Sequence, residues 1–83
     1  MANDEYVFEP KMKRQNYLAE IREEYGLTQQ QLVTRGGFSA ATINGIENPD
    51  LLNYPESRTR RKLVDTLNLL THQQFTEQDI WPT

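Results

Sequence analysis

An 83-residue chain with no cysteine, 36% hydrophobic and 25% charged residues has room for one modest core without disulfides, which fits a single domain over 1–83 and a reducing, cytoplasmic setting. No apolar run approaches the roughly 20 residues of a membrane span, and the acidic opening MANDEYVFEP lacks the basic and apolar regions of a signal peptide. The net charge of -3 argues against a polyanionic partner, yet all nine basic residues fall between Lys11 and Thr76, so a mildly basic middle lies between acidic ends.

Residues 1–10 have no helical period and read as an arm, with Tyr6, Val7 and Phe8 as an extended apolar patch ending at Pro10. From Lys11 to Tyr25, Leu18, Ile21 and Tyr25 recur at helical spacing while Lys13, Asn16, Glu20, Glu23 and Glu24 lie mostly on the other face, predicting an amphipathic helix stopped by Gly26. Leu27 tucks under it. Thr28 is placed to cap a second helix to about Arg35, with Leu32 and Val33 inward, and Gly36-Gly37 supplies a turn. Phe38 points inward, and Ser39 caps a third helix from Ala40 to about Glu47 that buries Ile43 and Ile46. Two short helices around a glycine turn make a helix-turn-helix motif at 28–48.

Asn48-Pro49-Asp50 ends the third helix, because the residue before proline resists helical geometry. Leu51, Leu52 and Tyr54 ahead of Pro55 read as an ordered loop. Ser57 is placed to cap a fourth helix to about Leu70, with Leu63, Leu67 and Leu70 as its inward stripe and Val64 adjoining. In the 71–83 extension, Thr71 caps a short turn ending near Phe75, and Thr76-Glu77-Gln78-Asp79 has the layout of a further helix start that brings Ile80 and Trp81 under the core. The predicted fold class is therefore all-α, a compact bundle of about five short helices.

Arg22, Gly26-Leu27-Thr28-Gln29, Leu32, Gly37-Phe38-Ser39, Ile43, Ile46-Glu47-Asn48 and the Leu63 to Leu69 helix follow one another without insertion through the motif. Over roughly 15–70 the chain resembles the Cro and phage-repressor type of helix-turn-helix domain, the XRE family. That resemblance implies a lambda-repressor-like bundle with the motif at helices 2 and 3, and a DNA-binding transcriptional regulator, repressor-like, that places helix 39–47 in the major groove. It pairs Arg22 with Glu47 as a structural ion pair and assigns Gln29 to a DNA phosphate at the positive end of the second helix. Asn48 is assigned either a backbone phosphate contact or helix termination alone.

The implied base-reading face is Ser39, Ala40, Ala41, Asn44 and Gly45, with Thr42 to one side. Only Asn44 among these has a side chain of the strong base-reading kind, suited to adenine, while Ala40, Ala41 and the Thr42 methyl suit thymine methyls. Gly36 stands where the family usually has an apolar residue, leaving a gap for Phe38 or the arm. Arg58, Arg60, Arg61 and Lys62 crowd the start of the fourth helix, where the resemblance implies a phosphate-facing patch that Arg35 either joins or leaves to serve its own helix end. Lys11, Lys13 and Arg14 form a second basic group facing solvent.

His72 is the sole histidine, and no paired acids have an acid-base or metal-ligand spacing, so neither an enzyme nor a metal or cofactor site is expected. The partner expected is double-stranded DNA, with a homodimer implied by family analogy and no membrane. Tyr6, Val7, Phe8, Ile80 and Trp81 stand either as the dimer surface or as core. The competing reading is a protein-interaction module on the same scaffold, such as an antirepressor, repressor modulator or antitoxin, which the acidic balance and alanine-rich face favour.

Overall fold

In a computed structural model, residues 16–48 and 54–82 are described. Five helices follow in order: α1 Leu18–Glu24, α2 Gln29–Gly36, α3 Ala40–Glu47, α4 Ser57–Thr71 and α5 Glu77–Ile80. There is no strand among the described residues, and the class is all-α. The expectations for the arm at 1–10, the basic group Lys11, Lys13 and Arg14, and Leu51 and Leu52 fall outside the described residues. No helix among those described is long and apolar enough to cross a membrane.

Asn16 and Tyr17 precede α1 rather than belonging to it. Asn16 is buried: its Oδ1 accepts from the Leu18 amide at 3.0 Å and its Nδ2 donates to the Ile46 carbonyl at 2.9 Å. A side chain expected on the solvent face therefore serves both the start of α1 and the end of α3, and its hydrogen bonding makes burial tolerable. The Tyr17 amide donates to the Ile80 carbonyl at 2.8 Å, tying α1 to α5. Gly26, at φ 70°, closes α1, and the Leu27 amide reaches the Arg22 carbonyl at 2.9 Å while the Gly26 amide reaches that of Glu23 at 3.1 Å. Tyr25, expected inward, stays 40% exposed, with its ring edge-on to Phe75 at 5.8 Å.

Thr28 caps α2 in a reciprocal box: its Oγ1 accepts from the Gln31 amide at 3.1 Å, and its own amide donates to Gln31 Oε1 at 2.8 Å. The helix includes Gly36 and ends at Gly37, whose φ of 72° suits glycine alone without strain. Gly36 has a different reason to be small. A Cβ there would meet the Phe38 ring at 2.3 Å and Thr66 Oγ1 at 2.8 Å, so Phe38 fills the gap that this glycine opens.

The core is Leu18, Leu27, Leu32, Ile43, Ile46, Leu63, Val64, Leu67, Ile80 and Trp81, with Ile21, Val33, Phe38, Leu70 and Phe75 packed around it. All five helices contribute, although α5 is only one turn long. Ile80 and Trp81 are thus core, which is the second of the two readings open for them. Glu56, not Ser57, holds the position before α4, and Thr71 is its last residue rather than the cap of a further turn ending near Phe75. There His72 takes a left-handed φ of 60°, which ends the helix, and Asn68 bridges the loop by bonding Phe75 at both its amide, 2.7 Å, and its carbonyl, 3.0 Å.

Candidate nucleic-acid interface

α3 is fastened from its inner end. Arg22 of α1 makes a two-pronged pair with Glu47, Nε to Oε2 at 2.8 Å and Nη2 to Oε1 at 3.0 Å, and its Nη1 donates to the Leu27 carbonyl at 2.8 Å. The side chains of this pair are 13% and 7% exposed, so water scarcely competes. Hydrogen bonding to Glu47 raises the Arg22 pKa above its ordinary value, against a smaller desolvation effect that lowers it. The stability this contributes is complete below the ordinary arginine value and is lost only as pH rises past the raised one, well outside neutral conditions.

Gln29, at the start of α2, joins the same carboxylate: its Nε2 donates to Glu47 Oε1 at 2.9 Å. One of its two amide hydrogens is therefore used inside the fold. The phosphate contact expected of this side chain is restricted to the other hydrogen, and Gln29 becomes the third member of a clamp joining α1, α2 and α3.

The outer side of α3 presents Ala40, Ala41 and Asn44 to solvent, with Thr42 half-buried. Ser39 is exposed but occupied as the helix cap: its Oγ accepts from the Thr42 amide at 3.0 Å and lies 2.8 Å from the Thr42 hydroxyl. Gly45, expected on this outer face, is buried and belongs to the inner one. Asn48 follows α3 with extended backbone, as a residue before proline should, and its amide donates to the Asn44 carbonyl at 3.0 Å.

The four basic residues at the start of α4 divide. Arg60 points inward: its Nε pairs with Glu77 at 3.0 Å, its Nη1 donates to the Pro55 carbonyl at 2.7 Å, and its guanidinium lies 4.5 Å from the Tyr54 ring centre. It is a fold residue, and its assignment to a phosphate is corrected. Removing it as Arg60→Gln should cost about 1 kcal/mol, read as a lower urea midpoint, because a partly exposed ion pair and a cation–π contact are each worth about that or less.

Arg58, Arg61 and Lys62 remain on the exposed side of α4. Lys62 Nζ sits 5.0 Å from the centre of the Phe38 ring, which places this end of α4 beside the turn that leads into Ser39 and α3. Arg35 stands in the last turn of α2. With Gln30, Gln31, Thr34 and Leu70 it lines an open groove of about 540 Å³ between α2 and the far half of α4. Leu70 is eight residues beyond Lys62, about 12 Å along the helix.

No family model matches the chain, and no curated protein or solved structure is significantly similar to it.

The arrangement thus offers a helix face of small residues and one amide, with Lys62 beside the turn that precedes it. Among the described residues no group of histidine, aspartate or glutamate could hold a metal ion. Sequence reasoning missed the buried role of Asn16 and the inward, half-buried pairing of Arg60. The only signal for Arg60 was its place on the helical wheel, three residues before Leu63 and seven before Leu67, in line with that inward stripe.

Proposed function

We propose that this protein is a DNA-binding transcriptional regulator, repressor-like and of the Cro and phage-repressor type, that inserts α3 into the major groove. The observation that carries the reading is the contrast between the two sides of α3. Its inner side is pinned by Arg22, Gln29 and Asn16, while Ala40, Ala41 and Asn44 stand exposed and Lys62 of α4 lies against Phe38, just ahead of the helix. A helix held rigidly with a slim outer face suits a groove about 12 Å wide. Arg58, Arg61 and Lys62 supply phosphate contacts, and occupancy of an operator is the mode of action.

The test is a salt titration of binding to mixed-sequence duplex DNA, followed by fluorescence anisotropy. Affinity should fall steeply as salt rises, and Arg58→Gln or Arg61→Gln should each flatten the log–log slope by about 1. Arg60→Gln should leave the slope alone. No anisotropy change at low salt with the wild-type protein would sink the reading.

A second reading has its own support in the net charge of -3 and the exposed Leu69 and Tyr25, 52% and 40% accessible. These suit a protein-interaction module on the same scaffold, an antirepressor, repressor modulator or antitoxin, and equally a homodimer that reads two half-sites. Sedimentation of wild type against Leu69→Asp separates a self-associating protein from one that engages only a different chain.

A further inference from the structure

α3 has the sequence AATINGIE, with no arginine or lysine on it. In the major groove guanine is read chiefly by Arg or Lys at O6 and N7, adenine by Asn or Gln at N6 and N7, and the thymine C5 methyl by apolar contact. The exposed residues Ala40, Ala41 and Asn44 cover the last two of these and leave out the first. Ser39, which could bond several bases, is engaged with the Thr42 amide at 3.0 Å and the Thr42 hydroxyl at 2.8 Å.

Spacing supports a joint reading. Asn44 stands four residues after Ala40 and three after Ala41, so the three share one helix face. One turn is about 5.4 Å, between one and two base-pair steps of about 3.4 Å, so they would meet neighbouring pairs. Lys62 beside the turn, 5.0 Å from the Phe38 ring centre, with Arg58 and Arg61 exposed on the same helix, favours a nucleic acid over an apolar protein surface as the occupant of this face.

We propose that α3 reads a short run of A·T pairs, Asn44 holding an adenine edge and Ala40 and Ala41 packing against thymine methyls of adjacent pairs. The inference rests on the DNA-binding function proposed above and narrows its target to a base class. Specificity then comes from methyl groups and one amide, with no guanine contact from this helix.

The experiment measures binding of the full 83-residue chain to four duplexes of equal length at one low salt concentration: alternating d(A-T), d(A-U), d(G-C) and d(I-C). Deoxyuridine removes only the thymine methyl. Inosine keeps guanine's major-groove edge but matches adenine in the minor groove, so it separates the two grooves. The expected order is d(A-T) about tenfold tighter than d(G-C), d(A-U) about threefold weaker than d(A-T), and d(I-C) as weak as d(G-C).

Asn44→Ala, an exposed change whose helical content is verified by circular dichroism, should weaken d(A-T) binding and leave d(G-C) unaltered. Equal binding to all four duplexes overturns the inference while the DNA-binding function stands. So does d(A-U) matching d(A-T), or d(I-C) matching d(A-T), the latter by pointing to the minor groove. Binding to none of them overturns the DNA-binding function itself.

Discussion

Glu47→Ala should remove about 3 kcal/mol of stability and lower the melting temperature by about 15 °C, followed by circular dichroism during heating. The magnitude follows from what the change strands. Arg22 would keep its hydrogen bond to the Leu27 carbonyl and the exposed Glu23 carboxylate at 3.7 Å, but its charge, only 13% exposed in the intact pair, would lose the bidentate Glu47 carboxylate, and Gln29 would lose its acceptor. Breaking a pair by deleting one partner costs more than the pair contributes, because the remaining charge is still desolvated. In a chain this short, with roughly 4 to 12 kcal/mol in total, that is a large share.

Two companions sharpen the expectation. Glu47→Gln keeps an acceptor oxygen and should lose less. The double variant Arg22→Ala with Glu47→Ala should lose less than the sum of the single losses, since the second change no longer abandons a charge. A loss under about 1 kcal/mol for Glu47→Ala would mean that the clamp adds little and that apolar packing alone holds α3 in place.

Gly36→Ala should destabilise the fold by about 2 kcal/mol, although replacing a helical glycine by alanine ordinarily gains about 1 kcal/mol. The steric term decides the sign. The added methyl would lie 2.3 Å from one Phe38 ring carbon, 2.7 Å from another and 2.8 Å from Thr66 Oγ1. The ring is rigid, with the Lys62 ammonium 5.0 Å from its centre. Thr66 is buried with its hydroxyl donating to the Lys62 carbonyl at 2.8 Å, so neither neighbour yields freely. Made in a Phe38→Ala background, the same change should have most of its cost removed. Urea unfolding of the four variants in this cycle measures it, and a Gly36→Ala protein more stable than wild type would refute the close approach.

Local signals carried most of the fold. Thr28 with Gln31, Ser39 before Ala40, and glycine at 26 and 37 act within a few residues, so caps and turns are visible without tertiary knowledge. The apolar spacing of Leu32, Ile43, Ile46, Leu63 and Leu67 marked the inner faces for the same reason. Asn16 was misplaced because a polar residue in an amphipathic pattern counts toward the surface, whereas its partner, the Ile46 carbonyl, is 30 residues away.

Arg60 shows the same limit at the candidate interface. Four cations in five residues look alike in sequence, and Glu77, which takes Arg60 out of the group, comes 17 residues later. Gly45 carried no hydrophobic signal because it has no side chain, so its burial was invisible to periodicity. Thr66 is buried because its hydroxyl bonds the carbonyl one turn back and so needs no external partner.

The three tethers on α3 all meet its last two residues: Asn16 holds the Ile46 carbonyl, while Arg22 and Gln29 hold the Glu47 carboxylate. At the other end, Ser39 bonds only within its own first turn. The helix is thus anchored by side chains at its Glu47 end, while its Ala40 end follows Ser39 and Phe38, the latter packed against the core. Residues of α1 and α2, and Asn16 ahead of them, that do not belong to the outer face therefore set where Ala40 and Ala41 stand, so a change at Asn16 or Arg22 reaches that face from behind.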